Sequence, residues 1–174
     1  MNKLMIAASF LLLPLAGAVD AATPTPAAFD RFVRETGSAC ASAASSACFE
    51  RIFRFADNNR DGALDLAEAE IMRDHARQWV LAHSGELHPA DKRGAVVTLL
   101  AIDYVGIDEL FASYDVDGDG LLTREEVSAD IALDDRPVME VARDPDAVDW
   151  DRLIGRLGSG AAMLKDVLPK RKTS

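Results

Sequence analysis

The chain has 174 residues, of which 49% are hydrophobic and 28% are charged, and its formal net charge is -10. This composition predicts one soluble folded domain and excludes a chain that is disordered throughout. The acidic balance disfavours nucleic acid as a partner, because its phosphates would be repelled, and it favours cations or basic partners.

Residues 1–21 have the pattern of a secretory signal peptide. Lys3 precedes an apolar run over residues 4–19, and small residues suited to a signal peptidase follow. A membrane anchor is the alternative, but Pro14 and Gly17 interrupt the run, which is short for a span of roughly 20 residues. We therefore expect cleavage, a periplasmic or secreted location and no stable membrane insertion. The excess of arginine over lysine and the abundance of alanine favour a GC-rich bacterial source.

Residues 22–28 form a proline-containing linker, and the first helix is predicted from Ala27 to Glu35, with Gly37 just past its end. The two cysteines, Cys40 and Cys48, follow. Outside the cytosol a disulfide is expected, and it requires a bend, because eight residues of continuous helix would separate the two Cα atoms by about 12 Å. Two buried free thiols are the alternative.

Helical spacing continues along the rest of a predicted single domain at residues 29–168. A helix is expected from Leu66 to His83, and a largely buried one from about Ala90 to Tyr104, because that segment is apolar nearly all round. Residues 134–146 lack periodicity and read as a loop. The C-terminal region predicts two short helices separated by a Gly-Ser-Gly turn, the first with Trp150, Leu153, Ile154 and Leu157 as its core face, and then a flexible basic tail at residues 169–174.

Two stretches form an internal repeat. Residues 57–68 (DNNRDGALDLAE) and 115–126 (DVDGDGLLTREE) align position for position, and both satisfy the pattern D-x-[DN]-x-[DN]-G-x5-E. Calcium takes six to eight oxygen ligands in flexible geometry, and this spacing of side chains and backbone can supply them. Each loop contributes four carboxylates, so that one Ca2+ ion is expected in each, two in all. The predicted metal ligands are Asp57, Asn59, Asp61, Ala63 (backbone carbonyl), Asp65 and Glu68, then Asp115, Asp117, Asp119, Leu121 (backbone carbonyl), Thr123 and Glu126.

The chain resembles the EF-hand family in these loops and in the apolar residues of the helices that enter them. The resemblance covers hands at about residues 49–76 and 107–134, and Arg73 and Asp130 depart from the apolar pattern on the exiting side. It implies an all-α fold of paired helix-loop-helix hands, here with an extra inserted helix and flanking N- and C-terminal helices. Leu64 and Leu122, at the eighth loop position, are expected to pair edge to edge although the loops start far apart in sequence.

The predicted function is an exported calcium-binding protein that acts as a sensor or a buffer. A sensor would add a protein partner, bound through an apolar surface that calcium exposes. The alternative is a calcium-stabilised docking module of the dockerin kind. No catalytic motif supports an enzyme. A zinc site at His75, His83 and His88 is a weaker interpretation than a solvated helix face, because their spacing does not prepare a tetrahedron.

Overall fold

Helices and short turns make up the described part of the chain. The computed structural model describes residues 23–141, 144 and 146–158. The predicted signal segment, the last predicted helix and the basic tail lie outside these residues. The helices are α1 (Pro26–Cys40), α2 (Ser45–Ala56), α3 (Leu66–His83), α4 (Pro89–Val105), α5 (Ile107–Tyr114), α6 (Arg124–Val127), α7 (Val138–Val141) and α8 (Trp150–Leu157).

The helix α1 begins one residue before its predicted start and ends later than predicted. The Thr25 hydroxyl accepts a hydrogen bond from the Ala28 N–H at 3.2 Å, which caps its first turn. The predicted end before Gly37 is wrong, because the helix continues to Cys40. A glycine inside a helix costs only about 0.5–1 kcal/mol, so the backbone hydrogen bonds of the final turn can compensate for this cost.

A disulfide joins the end of α1 to α2. Cys40 and Cys48 are bonded, and their Cα atoms lie 5.5 Å apart. The chain makes the required bend at residues 41–44, between the two helices. The predicted disulfide and the predicted break in the helix are therefore both confirmed.

The two hands pair through their loops. The first hand is α2, its loop and α3; the second is α5, its loop and α6. Leu64 and Leu122 form an antiparallel β-bridge, with N–H to O distances of 2.9 and 2.8 Å. Both leucines are buried in the same cluster as Phe53, Ala56 and Phe111. The predicted paired all-α fold and the pairing of these leucines are confirmed.

The exiting helix of the second hand is much shorter than predicted. We expected the second hand to extend to residue 134, which requires a longer α6. Instead, α6 ends at Val127 and a turn follows at residues 128–130. The buried Asp130 explains this, because its carboxylate pairs with Arg156 of α8 at 2.8 Å. Beyond the turn, Ile131 forms a β-bridge with Val148 instead of continuing a helix.

The inserted helix α4 is present, but it is not largely buried. Ala101 is 1% exposed, whereas Val96, Leu100 and Tyr104 are 36%, 54% and 58% exposed. One side of α4 packs on α3, α5 and α8. No element of the described chain packs on its opposite side. The prediction of burial was wrong because it relied on the apolar composition of the helix alone.

The C-terminal region contains more helix than expected. The predicted loop at residues 134–146 contains the single-turn helix α7. On α8, Leu157 is buried against Ala101, as a core face requires, but Ile154 is 39% exposed. Among the described helices, none combines the length and hydropathy needed to cross a membrane.

Candidate metal centre

The first loop holds its two end carboxylates in buried positions. Asp57, at position one, and Glu68, at position twelve, are each 6% exposed. The backbone N–H groups of Asn58 and Asn59 donate to Glu68 Oε1 at 2.8 and 3.0 Å. Gly62 N–H donates to Asp57 Oδ2 at 3.1 Å. The backbone thereby fixes both carboxylates at the base of the loop.

The start of α3 uses the same loop residues. Asp65 Oδ1 accepts the Glu68 N–H at 2.8 Å, and Glu68 Oε2 accepts the Asp65 N–H at 3.2 Å. This reciprocal capping box satisfies two backbone donors at the N-terminus of α3. The predicted position-nine residue therefore has a structural role in addition to the predicted ligand role.

The middle of the first loop is less converged. Asn59 Nδ2 donates to Asp61 Oδ2 at 2.9 Å, and the Asp61 N–H donates to Asn59 Oδ1 at 2.8 Å. The Ala63 N–H donates to Asp61 Oδ1 at 3.0 Å. These two side chains therefore pair with each other at the exposed side of the loop.

The second loop brings acidic groups together. Asp115, Asp117 and Glu126 each place one carboxylate oxygen within 4.8 Å of the others. Asp115 is oriented by the N–H groups of Gly118 and Gly120, at 2.8 and 3.0 Å. Positions one, three and twelve of the loop thus converge on one point.

The remaining predicted ligands of the second loop support its shape. Asp119 Oδ1 accepts the Leu121 N–H at 2.8 Å, as Asp61 does from Ala63 in the first loop. Thr123 caps α6 and its hydroxyl donates to Glu126 Oε2 at 2.9 Å. The backbone N–H groups of Thr123 and Val116, together with this hydroxyl, hold the pKa of Glu126 below its usual range. Glu126 is therefore an anion at neutral pH.

Left-handed backbone lets each loop turn sharply. Gly62 and Gly120, at position six, have φ of +95° and +82°, as the pattern predicts. At position four the second loop has Gly118 with φ +74°, and the first loop has Arg60 with φ +61°. The two loops therefore have the same backbone conformation at positions four and six, although Arg60, unlike Gly118, carries a Cβ atom.

The donor set suits a hard divalent cation. All predicted side-chain donors are oxygens, which calcium prefers. Asp57 Oδ1 is buried and has no hydrogen-bond partner among the described residues. A buried carboxylate oxygen without a partner is costly, and a bound cation would satisfy it. The residues present therefore fit a Ca2+ ion.

Arg124 links the two loops, and the motif does not reveal it. Its Nη1 donates to the Gly62 carbonyl at 2.8 Å, and its Nε donates to Glu50 at 3.1 Å. Its guanidinium also lies 4.3 Å from the centroid of the Phe53 ring. The loop pattern leaves position ten unspecified, so sequence reasoning had no signal for this contact.

The histidines do not form a zinc site. His75 Nε2 lies 2.7 Å from the Pro24 carbonyl, whereas His83 faces Asp30 and the Trp79 carbonyl. The expectation of a solvated face is wrong for His75, which is buried beside the Phe29 ring. The acidic cluster of the described chain that could hold a metal lies in the second loop instead.

The comparisons with known proteins agree with the loop geometry. A family model described as EF hand matches residues 49–68 and 107–129, which include both loops, all of α5 and most of α2. No curated protein and no solved structure matches the chain significantly. Both matched segments lie in the paired hands, and together they cover less than half of the chain.

Proposed function

We propose that this protein binds two Ca2+ ions, one in each loop, through the twelve residues predicted from the sequence. The convergence of Asp115, Asp117 and Glu126 is the observation that carries the proposal. Three carboxylate oxygens this close repel one another unless a cation lies among them. Backbone pairing at Leu64 and Leu122 places the first loop beside the second, so the two ions occupy one unit.

The expected affinity follows from the charge of the loops. Four carboxylates in each loop favour binding in the micromolar to sub-millimolar range. Glutamate at position twelve favours calcium over magnesium, because its two oxygens suit the larger ion. The EF-hand family is generally non-catalytic, and we propose a binding protein and not an enzyme.

Titration calorimetry of position-twelve variants tests the proposal. Glu68→Gln and Glu126→Gln should each remove one calcium site, and the double variant should remove both. Glu109→Gln is the matched control, since this glutamate is exposed on α5 outside the loop pattern. Loss of sites in the control, or full binding by the double variant, would contradict the assignment.

A structural role for the ions is favoured over a sensor role by one observation. Sensor hands open by moving their exit helices, but α6 has four residues and is followed at once by the buried Asp130–Arg156 pair. We propose that calcium stabilises the pairing of the two hands, which corresponds to the dockerin-like alternative. Calcium should then raise the melting temperature while helical circular dichroism and hydrophobic dye binding change little. A large rise in dye binding would support a sensor instead.

We also propose export, with residues 1–21 removed as a signal peptide. The Cys40–Cys48 disulfide supports this, because such bonds persist mainly outside the cytosol. Cell fractionation and intact-mass measurement of the chain expressed with its N-terminal segment test the proposal. An uncleaved chain in the cytosolic fraction would contradict it.

A further inference from the structure

An open groove of about 830 Å³ lies on the surface of the first hand, between α1 and α2. Residues of α1, of the turn at residues 41–44, of α2 and of the first loop line it. Its floor contains Cys40 and Cys48, with Phe32 and Phe55, whose rings stack at 3.8 Å between centroids. The floor therefore offers apolar surface that a ligand could cover.

Three arginines line this groove. Arg51, Arg54 and Arg60 are exposed, and none has an ion pair or hydrogen bond within the described residues. The two acidic residues of the lining do not neutralise them. Glu50 is paired with Arg124 at 3.1 Å, and Asp57 is buried and accepts from Gly62. These three positive charges are therefore not paired within the described residues, on a chain whose net charge is -10.

We propose that this groove binds an acidic, amphipathic segment of another protein. Guanidinium groups form strong charge-assisted hydrogen bonds with carboxylates, and the aromatic floor suits the apolar side chains of the same segment. Asp57 and Arg60 of the first loop belong to the lining, but the arginines and aromatic rings that would contact the segment are not predicted calcium ligands, so we expect binding in the absence of calcium.

Other anionic partners fit less well. A bilayer is flat and cannot enter a concave groove, and an extended anionic surface also faces the acidic remainder of the chain, whereas a short segment meets the groove alone. A long nucleic acid would likewise extend past the groove onto that acidic remainder. The basic sequence at residues 169–174 carries the wrong sign to occupy the groove itself.

Fluorescence polarisation in excess chelator tests the groove without involving calcium. The probe is a short labelled peptide with glutamates on one helical face and leucines and phenylalanines on the other. Arg51→Glu and Arg54→Glu should each weaken binding about tenfold or more, since a hydrogen bond to a charged group contributes about 1.5–3 kcal/mol. Arg31→Glu is the matched control, because Arg31 is exposed on α1 and does not line the groove.

The possible outcomes distinguish a bound protein segment from a nonspecific effect of net charge and from a lipid surface. Support requires that the control binds like the parent, that binding weakens with salt, and that a glutamine version of the peptide binds poorly. Equal losses in all three arginine variants would overturn the proposal, because they would report net charge alone. Binding to phosphatidylglycerol vesicles without binding to the peptide would overturn it in favour of a lipid surface. The variants change exposed side chains, and their melting curves check that they remain folded.

Discussion

Replacing Arg60 by glycine should stabilise the protein. Arg60 has φ +61° at position four of the first loop, where the second loop has Gly118. Left-handed backbone costs an ordinary residue about 1–2 kcal/mol, whereas glycine adopts it freely. Glycine loses about 0.5–1 kcal/mol more in chain entropy on folding, which offsets part of this gain. The net expectation for Arg60→Gly is a rise of about 0.5–1 kcal/mol in the free energy of unfolding.

Urea and thermal unfolding in excess chelator measure this effect without a contribution from bound metal. The melting temperature should rise by about 1–4 °C for a chain of this size. Arg60→Ala separates backbone from charge, since it removes the same guanidinium but keeps a Cβ atom. Gly118→Ala is the reverse control: its Cβ would meet open space, so its net loss of about 0.5–1 kcal/mol reports the backbone conformation and not a steric clash. If Arg60→Gly were no more stable than Arg60→Ala, the reasoning about backbone strain would be refuted.

Three further measurements address other contacts. Arg124→Ala should lower the free energy of unfolding by about 1–2 kcal/mol through its lost bonds to the first loop, and chemical denaturation that showed no change would contradict this. The Asp30 pKa is lowered by hydrogen bonds from Arg34 and Trp79, so its stabilising contribution is full above its ordinary value near 3.8 and disappears as the pH falls through the lowered value. Indole fluorescence should follow that acid transition in the parent and lose it in Asp30→Asn. Reducing the disulfide at Cys40 should cost about 2–3 kcal/mol, as expected for a short closed loop, and a variant with both cysteines replaced by serine should not respond to reductant.

The calcium loops were predictable because local chemistry determines them. Oxygen donors, a sharp turn at position six and a capping residue at position nine are all encoded within twelve residues. The predicted start of α3 at Leu66 is confirmed, and in the structure Asp65 and Glu68 form the capping box at this end. The pairing of Leu64 with Leu122 is a longer-range contact, but an apolar residue inside a polar loop signalled it.

The failed predictions concern contacts between distant parts of the chain. The exposure of Leu100 depends on which neighbours cover α4, and composition does not contain that information. The continuation of α1 past Gly37 brings the helix to Cys40, which is bonded to Cys48 eight residues further on. Arg124 reaches the Gly62 carbonyl from the other hand, a contact that no local pattern encodes.

Asp130 shows how one departure from the family pattern changes the architecture of a hand. Its side chain is 2% exposed and lies at the position where an exit helix would place an apolar residue. A buried carboxylate requires a partner, and Arg156 supplies it while stacking 4.0 Å from the Tyr114 ring. Burial next to Asp130 raises the pKa of Tyr114, so that ring stays neutral and keeps the pair undisturbed. Because the pair joins the turn after α6 to α8, and Arg156 also contacts Tyr114 at the end of α5, the second hand cannot swing an exit helix outward without breaking it. A buried ion pair in place of a movable exit helix therefore supports the proposal that calcium has a structural role in this protein.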